Sequence, residues 1–578
     1  MRSQAALLTA LLALFTCLHS STSLPNVLYI LSDDLRAELG AYGAPAVTPH
    51  LDQLAAEGLL FRNAYCQISV CSPSRHSFLS GRRPDRDGVW NFIDATPLNA
   101  SAIPGHFRRH GYLTLGLGKT FHEDGGAWNA GSMWSPDRPY YPYTSNACPH
   151  GDEGGGHCTV PDDKIYDWHL LNASLDYLTY AMEQRKTQGT PFFLMTGFRD
   201  PHAPWAAPQR MADLYNESAL AVAQHRTLAQ GAPPIAWSNQ LNVRLENGTA
   251  FAYGPHSPVP DWVARDQRHA YYAAVSYVDE HVGALLALLE QGGMTGETIV
   301  VRAPGARASA LLPRPLLSTS LSPLPVRARA RPTHPPPLSP FVSGLSRRPR
   351  ALAPPLRAPR VLIPAAPPPL SLLSESLVLP LSPPTQGYFL GENGEWEKKS
   401  NFDSVVRVPL IIRAPGGASG AVLNTMVDLV DVFPTLTALA GLPPPPDADQ
   451  LDGADLSALF GNPALALKGE AYHQYPACGM SALNQTRMSC NSVPRSQFDY
   501  MGYSVRTAAW RYTAWYAWNG SALQAEWGGA YAEELYSHAG DDGSSFDKYE
   551  SANEAAANPG VAAGLRAKLR QFFDKAQV

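Results

Sequence analysis

Short apolar runs that alternate with helical patterns are the feature that most restricts how this chain can fold. Residues 25–32 form one such run and end in Asp33 and Asp34, which predicts a buried parallel strand with carboxylates at its carboxyl end. Similar runs lie at 112–117, 191–197, 298–301 and 408–412, and helical periodicity lies at 51–58, 268–291 and 426–441. The alternation predicts an α/β fold, in which a large, mostly parallel central sheet is flanked by helices. In such sheets ligands bind at the carboxyl ends of the strands.

The C-terminal part of the chain follows a different pattern. Aromatic and polar residues alternate at 501–506 and 511–518, which predicts a small antiparallel sheet, and a helix is expected from about residue 559. A proline-rich stretch at 443–446 reads as the linker before this part. The predicted division is therefore an α/β domain in two parts, 24–301 and 387–446, and a smaller C-terminal α+β subdomain, 447–578.

Residues 302–386 interrupt the α/β pattern. This segment holds 21 of the chain's 53 prolines and 11 arginines, and its only acidic residue is Glu375. Such low-complexity composition offers no periodic apolar face for a core, so a disordered insert is predicted. Because long unstructured insertions are uncommon inside compact domains, an error of gene prediction such as a retained intron is the leading explanation.

The N-terminus predicts export. Residues 1–23 combine Arg2, an apolar run and small residues at their end, which is the pattern of a secretory signal peptide, with a signal anchor as the alternative. No later apolar run is long enough for a membrane span, so no membrane partner is expected. The formal net charge of −5 on 578 residues gives no reason to expect nucleic-acid binding. A lysosomal or extracellular protein of the secretory pathway is predicted.

Cysteine pairs and N-glycosylation sequons also support passage through the secretory pathway. Two cysteine pairs, Cys148 with Cys158 and Cys478 with Cys490, are spaced for local disulfides. Cys66 is then left over, since Cys71 belongs to the motif described next. Sequons for N-glycosylation lie at Asn99, Asn172, Asn216, Asn247, Asn484 and Asn519.

The segment at 71–82, Cys-Ser-Pro-Ser-Arg-His-Ser-Phe-Leu-Ser-Gly-Arg, carries the most specific chemical signal. Five of its positions, Cys71, Pro73, Arg75, Gly81 and Arg82, match the signature of the type I sulfatases of the alkaline phosphatase superfamily. A buried or disulfide-bonded cysteine on a turn is the alternative. The chain is identified by this resemblance as a member of that family.

Further segments resemble the same family in the same order, and the likeness is strongest to its iduronate-2-sulfatase branch. They lie at 26–36, 78–85, 118–122, 201–204, 391–398 with 400–402, 501–506 and 534–536. The resemblance implies an alkaline-phosphatase-like fold. It also implies hydrolysis of sulfate esters on sulfated sugars, such as a uronate 2-sulfate or a related polysaccharide.

The resemblance implies a nucleophile and a metal. Cys71 would be oxidised to formylglycine by the formylglycine-generating enzyme, and the aldehyde hydrate would attack sulfur. Arg75 would orient the hydrate, for which its fixed positive charge is suited. Asp33, Asp34 and the modified residue 71 would hold one calcium ion, since carboxylates supply the hard oxygens that Ca²⁺ prefers.

Four further residues are implied around the sulfate. Lys119 and His122 resemble the pair that contacts sulfate and the formylglycine oxygen. His202 resembles a histidine that binds sulfate or protonates the leaving group, and a structural loop histidine is the alternative. Lys398 resembles a second sulfate-binding lysine, although its neighbour Lys399 competes for that assignment.

One departure from the family pattern bears on the metal. Type I sulfatases carry an Asp-His or Asp-Asn pair directly after the strand that matches residues 298–301, and this sequence has no such pair there. Weak calcium binding and little turnover are therefore expected of this chain. Two other functions stay open: a catalytically inactive secreted protein that binds glycans, and a phosphonate or phosphodiester hydrolase of the same superfamily.

Overall fold

A computed structural model describes the chain in ten stretches. They are residues 24–94, 98, 101–122, 130–144, 148, 156–238, 242–302, 386–480, 487–545 and 547–574. The predicted signal peptide, 1–23, lies outside the described residues. Of the predicted insert, only Arg302 and Gln386 are described.

A seven-stranded sheet forms the centre of the molecule. Its strands are β1 Asn26–Ser32, β2 Leu59–Tyr65, β3 Leu113–Gly118, β4 Phe192–Phe198, β5 Thr298–Arg302, β6 Arg407–Arg413 and β7 Ala421–Asp428. They lie in the order β7-β2-β6-β5-β1-β4-β3. Only β6 runs antiparallel to its neighbours, so the sheet is mostly parallel, as predicted. Every residue of β1 is buried, which explains its unbroken apolar sequence.

Helices pack against the sheet and flank it. The longer ones are α1 Pro49–Glu57, α2 Cys71–Ser80, α3 Ile103–Arg109, α4 Tyr166–Gln188, α5 Asp261–Gln291, α6 Val432–Leu439 and α7 Pro559–Asp574. Helices of four residues lie at Pro84–Asp87, Ala130–Met133, Gln209–Ala212, Asp403–Val406 and Ala458–Gly461. Helix α5 begins seven residues before the predicted start at 268, because Pro260 marks its N-terminus.

The predicted helix at 426–441 is wrong in its first part. Residues 426–428 belong to strand β7, which pairs in parallel with β2, and helix α6 begins only at Val432. A capping box between Asp428 and Asp431 ends the strand and starts a helical turn. The valines and leucines of this segment suit a strand as well as a helix, so periodicity alone could not separate the two.

A second, antiparallel sheet forms the C-terminal subdomain. Its strands are β8 Glu470–Ala477, β9 Tyr500–Thr507, β10 Trp510–Asn519, β11 Gln524–Ala525 and β12 Ala532–Ser537, in the order β8-β9-β10-β11 with β12 also paired to β10. The predicted antiparallel sheet and final helix are thereby confirmed. Short two-stranded pairs elsewhere join 157–159 with 205–207, 243–244 with 250–251, and 389–390 with 396–397.

The predicted disulfides are present. Cys148 bonds to Cys158 and Cys478 to Cys490, while Cys66 and Cys71 are free thiols and buried. Within the described stretches, no helix combines the length and the apolar character needed to cross a membrane.

Candidate active site

Cys71 lies at the first turn of helix α2, near the carboxyl ends of the parallel strands. Val70 precedes the helix in an extended conformation, and all ten residues of the helix are buried. Gly81 ends the helix with φ 71°, where a side chain would collide with Leu451 and Phe433. The N-terminus of a helix presents free backbone N–H groups, so it favours negative charge beside Cys71.

Asp33 and Asp34 follow strand β1 and reach the same place. In a continued strand their side chains would point to opposite faces of the sheet. Asp34 instead adopts a left-handed backbone with φ 59°, which aspartate tolerates better than most residues. Both carboxylates thereby approach Cys71, and Asp33 Oδ2 lies 3.4 Å from its Sγ.

Three cationic side chains surround these carboxylates. Arg75 Nη2 lies 3.0 Å from Asp33 Oδ1, and Lys119 Nζ lies 2.8 Å from Asp33 Oδ2. Lys398 Nζ lies 2.6 Å from Asp34 Oδ1 and 3.2 Å from Cys71 Sγ. The guanidinium of Arg75 also donates to the backbone oxygens of Lys119 and Thr120, which fixes its plane. The three positive charges exceed the two negative ones, so the cluster can hold a further anion next to residue 71.

Two predicted histidines flank the cluster. His122 hydrogen-bonds to the Cys71 thiol and stacks on the ring of Phe92 at 4.7 Å between centroids. His202 Nε2 lies 3.8 Å from Asp34 Oδ2, and a quarter of its side chain is exposed. His202 is thus placed between the buried charges and solvent, where a leaving group would enter or depart.

The charges and the burial of the cluster shift the pKa values of its groups in different directions. Burial alone would raise the pKa of Asp33, but the positive charges of Lys119 and Arg75 override it and hold that pKa well below its usual range. Burial and Asp33 raise the pKa of Cys71, yet Lys398, the His122 hydrogen bond and Lys119 together leave it lowered. Burial, reinforced by Lys119 and Lys398, lowers the pKa of His202 well below its usual value.

One residue of this site is not predicted from the sequence. Gln386 is the last residue of the predicted insert, whereas its side chain lies in the cluster. Its Nε2 donates to Asp34 Oδ1 at 2.6 Å, to Asp33 Oδ1 at 3.2 Å and to Cys71 Sγ at 3.1 Å. The signal that could have found it is its position directly before Gly387, where the family pattern resumes.

All the predicted site residues meet in one place. Cys71, Asp33, Asp34 and His202 also offer ligand atoms within 4.8 Å of one another, a spacing suited to one cation. Two further acidic clusters are paired with arginines of the chain instead, as in the contacts of Glu392 and of Asp403. The geometry therefore concentrates nucleophile, cation ligands and anion-binding groups around residue 71.

Comparisons with known proteins agree with this geometry. The family model described as "Sulfatase" matches residues 25–303. Iduronate 2-sulfatase of Mus musculus is 29% identical over 586 aligned positions, which cover 90% of this chain and 89% of that protein.

Solved structures share the fold. A phosphonate monoester hydrolase of Agrobacterium radiobacter matches with a TM-score of 0.61, 18% identity and 96% of each chain covered. The protein BT4656, solved with its substrate D-glucosamine-2-N,6-O-disulfate, matches with a TM-score of 0.58, 17% identity, and 96% and 98% of the two chains covered. At these identities the two structures support the fold alone.

The match to the family model contains the strand that leads to Asp33 and the helix that begins at Cys71. The likeness to the mouse protein extends well beyond residue 303, because it spans nine-tenths of the chain. The signature, the fold and both comparisons thus converge on a sulfuric ester hydrolase that is similar to the type I sulfatases and, among them, to iduronate 2-sulfatases.

Proposed function

We propose that the chain removes a sulfate ester from a sulfated sugar of the uronate 2-sulfate type, using formylglycine at position 71 and one calcium ion. The observation that carries this proposal is the burial of Cys71 within hydrogen-bond range of Asp33 and Lys398, with Lys119 paired to Asp33. The substrate class follows from the likeness to iduronate 2-sulfatase.

The donor set fits the implied groups. Asp33 and Asp34 are fully buried carboxylates at one point, which supplies hard oxygens and negative charge for a divalent cation. The Sγ atom of Cys71 marks where the oxygens of an aldehyde hydrate would lie. Such a hydrate would supply one hydroxyl as the nucleophile toward sulfur and a second whose deprotonation would release sulfate and restore the aldehyde. A calcium ion held by Asp33 and Asp34 would supply Lewis-acid charge for the sulfate oxygens.

The other side chains of the site bind the sulfate, orient residue 71 and handle its proton. Lys119 and Lys398 neutralise the sulfate oxygens, and their fixed positions mean that little reorganisation is needed during reaction. Arg75 binds Asp33, which in turn contacts the side chain of residue 71, so Arg75 orients that side chain through Asp33. His122 accepts the proton of the attacking hydroxyl, and the neutral ring of His202 donates a hydrogen bond to the leaving oxygen.

Export is part of the proposal. Cys71 is only 1% exposed in the folded chain, so its conversion by the formylglycine-generating enzyme must precede folding. Two disulfides and sequons at the exposed Asn172, Asn216 and Asn247 suit maturation in the secretory pathway and residence in a lysosome or outside the cell.

The test is co-expression with the formylglycine-generating enzyme, followed by mass analysis of the Cys71 peptide and two assays. We expect the mass loss of a CH2SH group replaced by CHO, and hydrolysis of an aryl sulfate faster than of an aryl phosphodiester. An unmodified thiol with no turnover would favour the inactive glycan-binding protein. Faster hydrolysis of the phosphodiester would favour the phosphonate-hydrolase alternative.

A further inference from the structure

We propose that Gln386 is a ligand of the divalent cation, through its side-chain amide oxygen. The inference rests on the proposed function and adds to it a residue outside the predicted metal set. It concerns the place where the sequence lacks the acidic pair of the family. The amide would complete the oxygen ligands that Asp33 and Asp34 begin.

The position of the amide supports this role. Gln386 is fully buried, and its terminal nitrogen lies between Asp33, Asp34 and Cys71 at 2.6–3.2 Å. The nitrogen and the oxygen of a glutamine amide are nearly isosteric, and a half-turn about the last side-chain bond exchanges them. The same side-chain position can therefore direct the oxygen at a cation between the carboxylates.

The amide oxygen has no other function in the described part of the chain. Gln386 Oε1 is buried without a hydrogen-bond partner among the described residues. A buried carbonyl oxygen without a partner costs about 1–3 kcal/mol, so such atoms are rare. Coordination of a cation would satisfy this oxygen.

Donation to the carboxylates is the competing role, and the surroundings make it redundant. Asp33 already accepts from Arg75 and Lys119, and Asp34 from Lys398. The two carboxylates thus already have three positively charged hydrogen-bond donors. An amide at this position would instead give a cation site a neutral oxygen ligand.

The backbone beside Gln386 is held in place. Gly387 donates its N–H to the Val405 oxygen at 2.8 Å, and a Cβ at Gly387 would lie 2.7 Å from the Ser404 oxygen. Arg36 Nη1 donates to the oxygen of Tyr388 at 2.9 Å. Close packing on one side and an arginine on the other thus fix the direction of the Gln386 side chain.

The inference changes the expectation for this chain. Calcium takes about six to eight oxygen ligands, and two carboxylates alone would leave most of them to water and substrate. With Gln386 and the hydrate at position 71 the protein itself offers more of the set. We therefore expect calcium binding and turnover in spite of the absent acidic pair.

The test is calorimetric titration of calcium into the EDTA-treated, matured full chain and four variants. Gln386→Met keeps the length but removes the oxygen, and Gln386→Glu keeps an oxygen but cannot donate at neutral pH. Asp34→Asn is the reference for loss of the site. Gln67→Leu is the matched control, because Gln67 is another buried glutamine that donates to an aspartate, Asp428, outside the cluster.

We expect one calcium per wild-type chain and about tenfold or greater loss of affinity in Gln386→Met and Asp34→Asn. Gln386→Glu should bind at least as tightly as wild type, and Gln67→Leu should bind like wild type. Wild-type affinity in Gln386→Met would overturn the role of Gln386 while the cation site stands. If Gln386→Met does not fold, weaker binding by Gln386→Glu would overturn it instead. A wild-type chain that binds no calcium would overturn both this role and the metal in the proposed function.

Discussion

At the scale of single residues, the active site depends on planar geometry as much as on charge. The Nη2 atom of Arg75 donates to Asp33, and its Nη1 atom donates to two backbone oxygens. Those oxygens belong to Lys119 and Thr120, so one guanidinium joins helix α2 to the end of strand β3. A lysine has the charge but not the fork of donors, and it cannot make these contacts together.

Arg75→Lys should therefore lower kcat on an aryl sulfate by more than about 100-fold. It should also destabilise the fold by about 1–3 kcal/mol, because a buried carbonyl oxygen loses its donor. Steady-state kinetics and urea unfolding measure the two effects. The mass of the Cys71 peptide must show full conversion, since Arg75 lies in the modified motif. Arg86→Lys, on a more exposed arginine paired with Asp452, is the control, and equal losses in both variants would refute the argument.

The sequence predicted most residues of the site because each has a specific chemical type in a fixed motif. Cys71, Lys119 and His202 belong to such motifs, and the fold brings them together. Gln386 was not predicted, since a glutamine beside a proline-rich segment carries no chemical signal of its own. Its role depends on a contact between residues more than 300 positions apart, which periodicity and spacing cannot show.

At the scale of elements, helix α4 positions the loop that carries His202. Asp167 in its first turn accepts the backbone N–H groups of Arg199 and Asp200, each at 2.8 Å. Arg199 in turn donates to the backbone oxygens of His202 and Pro204 at 2.6 and 2.9 Å. Burial raises the pKa of Asp167 to about 6 in spite of these hydrogen bonds.

Asp167→Asn should lower kcat/KM by about 10- to 100-fold, because an amide has one accepting oxygen for two N–H groups and His202 would shift. Asp176→Asn on the same helix is the matched control, since Asp176 is mostly exposed and pairs only with Arg138 among the described contacts. Kinetics at several substrate concentrations would measure the effect. A wild-type kcat/KM in Asp167→Asn would show that the loop does not depend on this carboxylate.

The elements themselves were predicted where one pattern dominated. Strands β1, β3 and β4 are unbroken apolar runs within two residues of the predicted bounds. The error at 426–441 arose where β-branched residues continue from a strand into a helix without a glycine or proline between them. The pairing of β7 with β2, about 360 residues apart in sequence, and the capping box at Asp428 together determine where that strand ends.

At the scale of the whole molecule, a buried ionic network links strand β1 to the C-terminal region. Arg36 and Arg268 bind Glu392 at 2.9 and 2.6 Å, and Arg268 also contacts Asp547 at 3.3 Å. Burial would raise the pKa of Glu392, but the two arginines lower it to about 2. Burial, with the charge of Glu392 added, raises the pKa of Asp547 to about 7. The network therefore keeps a proton on Asp547 at acidic pH.

This proton makes the stability contributed by Asp547 depend on pH in a defined direction. Its folded pKa lies above the unfolded value of 3.8, so its contribution is fully present below that value and is lost as the pH rises through 7. Between the two values the loss is roughly 1.4 kcal/mol per pH unit at most. Asp547→Asn cannot ionise, so its melting temperature relative to wild type should rise from pH 5 to about pH 7 and level off above it.

Subtracting the two melting curves removes the contributions of all groups that both proteins share, including the buried histidines. Asp213→Asn, at an exposed position, is the matched control. Parallel curves for Asp547→Asn and wild type would mean that Asp547 is ionised throughout. A rising difference would show that the fold itself favours an acidic lumen at this network, which is the environment expected of a lysosomal hydrolase.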